Sequence, residues 1–415
     1  MRLVIQESRG LSGEIPVYGS KNASLPLLAA TLLSENTVTL HNIPPIRDLF
    51  VMKDIMTSLG VKVEQDGDTV HVTAQEVGTS EISAQAVGKL RGSILLLGAL
   101  LGRNRTATLP LPGGDIIGAR PIDVHVDAFE QLGVSVDIAG DVVKMDGKNM
   151  KAGVVVLKEF SVTATENILL AAATLPGTTT IHIAAAEPHV VVLCDLLRAM
   201  GAEITGDGTH TIIVKGKEKL SGAEVTNIPD MLEAASFILL AAATQSTISV
   251  LNVPVDQLLL FFKKCTEIGI AYKIDGSTVT VSPSTFKPFR VQVLPYPGMP
   301  SDLQAPFAII ATQASGSSLI HDPMYEGRFK HIFELEKMGA KAVVCDPHRV
   351  IINGPTPLVG RQIPSLDIRS GACLLIAGLI AKGTTIIDQA EIIERGYAHI
   401  VDRLQAVGAS VTKEE

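Results

Sequence analysis

Several positions carry a cation where local structure disfavours one. Lys21 lies between Ser20 and Asn22 at the start of an apolar segment, and Arg91 and Arg369 open two others. A Lys or Arg at a helix start opposes the helix dipole, which favours anions there. Such a cation reads as part of an anion site in which helix N–H groups assist. Two Arg-bearing turns, Glu326-Gly327-Arg328-Phe329 and Glu394-Arg395-Gly396-Tyr397, follow strands of successive segments. The planar guanidinium fork suits a carboxylate or a phosphate. With Lys21, these arginines would clamp a small dianion or trianion. A solvated surface charge is the plainer reading of any one of them, and recurrence at equivalent positions favours the anion site.

Two further features carry acids. The segment LPGGDIIGARP, 111–121, holds three glycines, two prolines, Asp115 and Arg120. That composition reads as a mobile functional loop. It lacks the phosphate-loop pattern GxxxxGK[ST], so nucleotide hydrolysis is not indicated. Asp302, in Pro300-Ser301-Asp302-Leu303-Gln304, sits at another helix start, where Asp often serves as a plain N-cap.

The elements that must position these residues repeat along the chain. Six amphipathic segments end in an apolar residue and a glycine, at Gly60, Gly133, Gly201, Gly269, Gly339 and Gly408, spaced 68–73 residues apart. Each glycine reads as a helix C′ residue, where positive φ is cheap only without a Cβ. A strand follows each, often closed by a hairpin such as VEQDGDTVHV. Upstream of each lies an Ala/Leu-rich segment, for example SILLLGALLG or ASFILLAAAT, apolar nearly all round and therefore a buried helix. The predicted unit is βαβαββ, repeated six times. Three units per domain would bury such helices behind sheets, giving an α/β protein of two similar domains with a cleft between them. A cleft is a common ligand location, but a location only.

Composition bounds the function. The 415 residues are 46% hydrophobic and 19% charged, which excludes a disordered chain or a coiled coil. Net charge −8 gives no basic footprint for nucleic acid, and 4% aromatic residues without Trp give no stacking platform. The four cysteines, Cys194, Cys265, Cys345 and Cys373, form no CxxC pair and are expected as buried reduced thiols, as in a cytoplasmic protein. The start, MRLVIQESRG, has no apolar run of signal-peptide length. No stretch approaches the roughly 18 apolar residues of a membrane span, so no membrane insertion is expected.

Taken together, LSGEIPVYGSKNASLPLLAATLL, LPGGDIIGARPIDVH, YPGMPSDLQAPF, YEGRFKH, LDIRSGACLLIAG and IIERGYAHI resemble the enolpyruvyltransferases, and among them the UDP-N-acetylglucosamine 1-carboxyvinyltransferases. The resemblance covers all six repeats. The sister 5-enolpyruvylshikimate-3-phosphate synthases carry Asp-Lys-Ser where this chain has Ser20-Lys21-Asn22. The resemblance implies a two-domain inverted α/β barrel. It implies one domain of 21–228, bearing the loop 111–121, and another of 1–20 plus 229–415, bearing Asp302, Arg328, Arg369 and Arg395. It implies transfer of the enolpyruvyl group of phosphoenolpyruvate to the 3′-hydroxyl of UDP-N-acetylglucosamine, through a tetrahedral ketal, with release of phosphate. That is the first committed step of peptidoglycan synthesis, and so of cell-wall biogenesis and cell shape. No metal and no organic cofactor are implied.

Residue by residue, the resemblance makes Lys21 and Arg120 the phosphate contacts to phosphoenolpyruvate. Arg328 and Arg395 become its carboxylate contacts, with Arg91 and Arg369 as further donor-site arginines. Asp302 accepts the 3′-hydroxyl proton, and Asn22 contacts the sugar. Arg120, Pro121, Asp123, Val124 and His125 match the uridine-binding stretch, and Ser161, Asp302 and Met324 complete the UDP-sugar contacts. Glu326 matches an active-site Glu that orients its neighbours. Asp115 stands where most members carry a loop Cys. It serves as the acid for C3 of phosphoenolpyruvate or as a product-release gate. A free Cys titrates at about 8.5 and Asp at about 3.9, so an acid role needs Asp115 raised by desolvation. The epoxide fosfomycin alkylates the loop Cys, so this chain is expected to be insensitive to it.

Other departures concern the acceptor. Glu159 stands where members carry Lys or Arg near the diphosphate, Thr163 replaces a usual Gly, and Met231 replaces a usual Arg. They leave open a related enolpyruvyltransferase with a different nucleotide or nucleotide-sugar acceptor. A non-catalytic nucleotide-sugar-binding paralogue is the third reading, against which stands the intact set of Lys21, Arg120, Asp302, Arg328 and Arg395.

Overall fold

A computed structural model describes residues 1–78, 82–113 and 121–415. The chain forms two compact units. The first comprises Met1–Tyr18 and Pro229–Glu415, and the second lies within 19–228. Asp115 and Arg120 lie outside the described residues.

Each unit is built around three helices that pack on one another. In the second unit these are Lys21–Ala30, Leu95–Asn104 and Val162–Ala172. In the first they are Met231–Ala243, Gln304–Gln313 and Ile368–Ile380. All residues of Met231–Ala243 and of Ile368–Ile380 are buried. This is the expected outcome for helices with no polar stripe. The six repeat glycines all have positive φ, from +86° at Gly60 to +116° at Gly201, and each ends an outer helix.

Among the described residues there are six sheets, five of four strands and one of three. A four-stranded sheet joins a parallel pair to an antiparallel hairpin. In one, Val154–Val156 runs parallel to Gly177–His182, which pairs antiparallel with Thr211–Gly216. That is the βαβαββ unit. The second repeat departs from it. Its sheet of Thr106–Pro110, Ser135–Ala139 and Val142–Asp146 has no leading strand among the described residues, and the short helix Ala84–Lys89 precedes its central helix.

Two leading strands are exchanged between the units. Ser12–Pro16 precedes the helix Lys21–Ala30 in sequence, yet pairs parallel with Thr247–Leu251 in the first unit. Glu224–Thr226 precedes Met231–Ala243, yet pairs parallel with Val38–His41 in the second. The chain leaves one unit after Tyr18 and returns at Pro229. The N-terminal strand Arg2–Gln6 lies between Thr384–Asp388 and Val411–Glu414, antiparallel to both.

Cysteine burial requires a correction. Cys194, Cys265 and Cys373 are buried free thiols, but Cys345 is exposed. Its strand, Lys341–Asp346, is the edge of its sheet, so its apolar residues Val343 and Val344 remain exposed too.

Small residues let central helices approach closely. A Cβ on Gly98 would lie 2.3 Å from the carbonyl oxygen of Asn167 on the neighbouring helix. The Gly98 N–H also donates to Asn167 Oδ1 at 2.7 Å. Gly98→Ala is expected to cost about 2–3 kcal/mol by overpacking, read as a lowered midpoint in urea unfolding. An unchanged midpoint would refute the close-packing account.

Candidate active site

Asp302 is not a helix cap. It lies in the short 3-10 turn Ser301–Leu303, whose N-terminus has no side-chain cap bond. Its carboxylate is held instead by two arginines from distant elements. Arg328 Nη2 donates to Oδ1 at 2.5 Å, and Arg369 Nε donates to Oδ2 at 3.1 Å. Arg328 comes from the turn after Gly316–His321, and Arg369 from the first turn of Ile368–Ile380, which Asp367 caps. Both guanidinium groups are under a tenth exposed, whereas the Asp302 side chain is 26% exposed.

Burial pushes the Asp302 carboxyl upward. The charges and hydrogen bonds of Arg328 and Arg369 outweigh that and hold it well below the ordinary carboxylate range. Asp302 is therefore ionised and presents an acceptor with each oxygen tied to a cation. Arg369 is not saturated by this contact. Its buried Nη1 meets no acceptor among the described residues. A buried guanidinium nitrogen without an acceptor is costly, and an anionic ligand would satisfy it.

The surroundings are built from neighbouring elements of the same unit. The ring of Tyr397 lies 5.3 Å from the guanidinium carbon of Arg369, and its hydroxyl is 3.0 Å from Ser236 Oγ. Arg395 ends the 3-10 segment Ala390–Arg395, two residues before Tyr397, and is half-buried. Met324 is partly exposed, and its N–H donates to Asp322. Glu326 is exposed on the same turn.

The second unit holds the other predicted residues. Lys21 begins its helix, which Ser20 caps through the Ala23 N–H, and Asn22 follows it. Lys21 Nζ pairs at 2.9 Å with the buried carboxylate of Asp48. Nothing in the local pattern of Asp48 distinguishes it from a first-turn acid of the helix Arg47–Ser58, so the sequence does not mark it as a partner of Lys21. Arg91 donates to the Pro112 and Pro121 carbonyls, at 3.3 Å each, and so holds the two ends of the predicted loop.

Pro121, Asp123, Val124 and His125 converge on the start of Asp123–Gln131. Ser161 caps Val162–Ala172 through the Ala164 N–H. A hydrogen-bond chain joins these two helix starts. Asn167 Oδ1 accepts from Gly98 N–H, which orients its amide. Its Nδ2 then donates to the Ile94 carbonyl and to His125 Nδ1. His125 Nε2–H is left to donate to Thr163 Oγ1 at 3.2 Å. Glu159, beside this turn, is exposed.

His125 is buried, and burial, with a smaller contribution from Arg91, lowers its pKa to about 3. The unfolded imidazole titrates at about 6.5. Between these values the unfolded state binds more protons, so stability is lost as pH falls through that window. The expected loss from His125 alone is about 2 kcal/mol between pH 7 and pH 5. Urea unfolding at both pH values, in wild type and His125→Gln, tests it. Equal pH dependence in the two would contradict the assignment.

No helix among the described residues is long and apolar enough to cross a membrane. Among those residues no three His, Cys, Asp or Glu side chains group to hold a metal ion.

A carboxylate held between arginines, with the anion-seeking residues on helix starts and turns of a six-repeat α/β scaffold, defines the class. The chain belongs to the EPSP synthase family (3-phosphoshikimate 1-carboxyvinyltransferase), whose pattern matches residues 5–404. Within that family it is 40% identical to UDP-N-acetylglucosamine 1-carboxyvinyltransferase 2 of Listeria monocytogenes serovar 1/2a, over 99% of this chain and 97% of the relative. A relative named UDP-N-acetylglucosamine 1-carboxyvinyltransferase in Desulfosudis oleivorans is 38% identical over 99% of both chains. Among solved structures, the enolpyruvyl transferase NikO of Streptomyces tendae matches with TM-score 0.90 and 26% identity, over 99% of this chain and 98% of that one. EPSP synthase of Acinetobacter baumannii, at 19% identity and TM-score 0.73 over 99% of this chain and 100% of that one, shares the fold.

Proposed function

We propose that this protein transfers the enolpyruvyl group of phosphoenolpyruvate to the 3′-hydroxyl of UDP-N-acetylglucosamine, releasing phosphate, as the first committed step of peptidoglycan synthesis. The observation that carries the reading is the Asp302 carboxylate held between Arg328 and Arg369. The names of the full-length relatives support the same acceptor.

A sugar hydroxyl is a poor nucleophile, and a positioned carboxylate assists by taking its proton as the C–O bond forms. In the proposed mechanism Asp302 takes that proton. The hydroxyl oxygen bonds to C2 of phosphoenolpyruvate while C3 receives a proton, giving a tetrahedral ketal. Loss of a C3 proton and of phosphate then restores the double bond in the product. Phosphoenolpyruvate carries about three negative charges near neutral pH, which calls for several cations. In this reading Lys21 and Arg120 take the phosphate, Arg328 and Arg395 take the carboxylate, and Arg91 and Arg369 complete the donor contacts.

Asp115 is proposed as the acid at C3 or as the gate for product release. Insensitivity to fosfomycin goes with it, since a carboxylate is the weaker nucleophile. Asn22, Pro121, Asp123, Val124, His125, Ser161 and Met324 are proposed to hold the UDP-sugar. The reaction needs no metal or organic cofactor, and a cytoplasmic enzyme without nucleic-acid partners fits the substrates.

One observation favours a second acceptor. Thr163 adds a hydroxyl, bonded to His125, in the proposed uridine stretch. A related nucleotide or nucleotide sugar is the alternative it supports. The test is phosphate release with phosphoenolpyruvate and UDP-N-acetylglucosamine, with mass spectrometry of the product. An enolpyruvyl-UDP-sugar is expected. Release only with other uridine nucleotides would establish the second acceptor, and no release with any of them would overturn enolpyruvyl transfer.

A further inference from the structure

Asp322 is a buried carboxylate that the proposed chemistry does not use. Asp322 follows the strand Gly316–His321 and is fully buried. Its Oδ1 accepts from the backbone N–H groups of Met324 and Tyr325, at 3.1 and 3.3 Å. A turn of that kind explains one oxygen. The other, Oδ2, accepts from the Ser301 hydroxyl. That same hydroxyl accepts from Arg328 Nη1. Ser301 has one proton to give, so donation to Asp322 leaves its lone pairs for the guanidinium. The relay therefore has a single polarity, from Arg328 through Ser301 to Asp322.

Arg328 is thus fixed on every side the structure shows. One η nitrogen points to Ser301 and the other to Asp302. Its guanidinium carbon lies 5.1 Å from the ring centroid of Tyr325, the residue whose N–H Asp322 holds. Its backbone carbonyl accepts from Gln304 Nε2 at 3.2 Å. Ser301 and Asp302 are adjacent in one 3-10 turn, so the serine that anchors Arg328 is covalently tied to the carboxylate that Arg328 orients. Asp302 cannot shift along its turn without moving the Ser301 anchor as well.

We propose that Asp322, acting through the Ser301 hydroxyl, is a positioning residue for enolpyruvyl transfer. It sets the plane of the Arg328 guanidinium, and with it the direction of the Asp302 carboxylate and the fork offered to the donor's carboxylate. The proposal rests on the reading of Asp302 as base and Arg328 as donor contact. Neither Ser301 nor Asp322 needs to touch substrate for this. A fork turned out of plane loses its paired geometry toward a carboxylate, which is where arginine's advantage over a point charge lies.

Three variants separate the relay from general damage. Ser301→Ala removes the link but keeps both charges, Ser301→Thr keeps the hydroxyl, and Asp322→Asn keeps an acceptor for the turn but removes the charge. In steady-state assays, Ser301→Ala and Asp322→Asn are expected to raise the KM for phosphoenolpyruvate about tenfold, with the KM for UDP-N-acetylglucosamine within about twofold. Ser301→Thr should stay within about threefold of wild type for both. Equal impairment of Ser301→Thr and Ser301→Ala, or an unaffected Ser301→Ala, would overturn the relay.

A second readout needs no turnover. In crystal structures Arg328 should leave Asp302 in Ser301→Ala and keep its contact in Ser301→Thr. An unmoved Arg328 in Ser301→Ala would also overturn the relay. A wild type that forms no product overturns the functional reading instead, and the crystal structures still decide the relay.

Discussion

Replacing Asp302 by Asn should lower kcat about a thousandfold while leaving the KM for phosphoenolpyruvate unchanged or lower. The amide oxygen can still accept from Arg328, so the local structure has a partner for one cation. The charge and the proton-accepting lone pair are lost. A general base contributes roughly 10²- to 10⁴-fold, and the loss falls on the chemical step rather than on donor binding. The direction of the KM change distinguishes this account from a binding role. Asp302 now shares the charge of Arg328 and Arg369. Without that negative charge both cations are less neutralised toward an anionic donor. Steady-state kinetics with each substrate varied will read both constants. A raised KM for phosphoenolpyruvate with kcat near wild type would make Asp302 a structural anchor and end its assignment as base.

The largest stability effect is expected at a buried ion pair. Arg403 Nη2 donates to Glu233 Oε1 at 2.6 Å, with both side chains almost wholly buried. Arg403 also donates to the Pro16 carbonyl at 3.0 Å. Its guanidinium carbon lies 4.7 Å from the Tyr18 ring centroid and 4.8 Å from that of Phe237. Glu233 Oε2 accepts from the Tyr18 N–H at 2.9 Å. Arg403→Met leaves Glu233 buried without its cation and should cost about 3–5 kcal/mol.

The pH dependence of that loss has a definite sign. Burial raises the Glu233 carboxyl, and Arg403 works against it. Without Arg403 the folded carboxyl rises further above its unfolded value. The destabilisation is then full at neutral pH and shrinks as pH falls toward the unfolded pKa. Adding Glu233→Leu to Arg403→Met should restore much of the loss, since an apolar pair of similar volume replaces a buried ion pair at little cost. Urea unfolding of wild type, the single variant and the double variant at pH 7 and pH 5.5 tests the set. A single variant within about 1 kcal/mol of wild type would show that the pair contributes nothing net.

The periodic part of this fold was legible because its signals are local. Only glycine adopts the positive φ of a helix C′ position without strain, so Gly60, Gly133, Gly201, Gly269, Gly339 and Gly408 mark the helix ends one by one. The central helices were legible because segments such as 231–243 have no polar face to turn outward. The exchange of Ser12–Pro16 and Glu224–Thr226 was implied by the family resemblance, through its bounds of 21–228 and 1–20 plus 229–415, and by no local pattern. Alternation along a strand says which face is buried but does not name its neighbour. That no leading strand of the second repeat is found among the described residues is hidden for a similar reason, because six spaced glycines imply more symmetry than the described sheets hold.

The candidate site divides the same way. Arg328 and Arg369 could be found as cations in places that disfavour cations. Their grip on Asp302 joins residues 26 and 67 positions apart, which no local pattern encodes. Local evidence for Asp302 favoured a plain cap, and tertiary pairing overrode it. Asp48, Ser301 and Asp322 carried no signal at all. An acid in a helix's first turn and an acid before a turn have ordinary local explanations.

The place of Arg2–Gln6 between Thr384–Asp388 and Val411–Glu414 has a consequence for how the protein is made. Translation delivers residues from the N-terminus at roughly 5–20 per second. The described residues of the second unit all lie within 19–228, so they are synthesised without waiting for the rest of the chain. The opening strand must wait for both of its neighbours, a delay of roughly 20–80 seconds at those rates. Throughout that interval its backbone donors and acceptors have no native partner, and Leu3 and Ile5, fully buried in the finished protein, face solvent or a chaperone. Birth order therefore runs opposite to assembly order for this strand: residues synthesised long before the rest of their sheet are among the last to be secured.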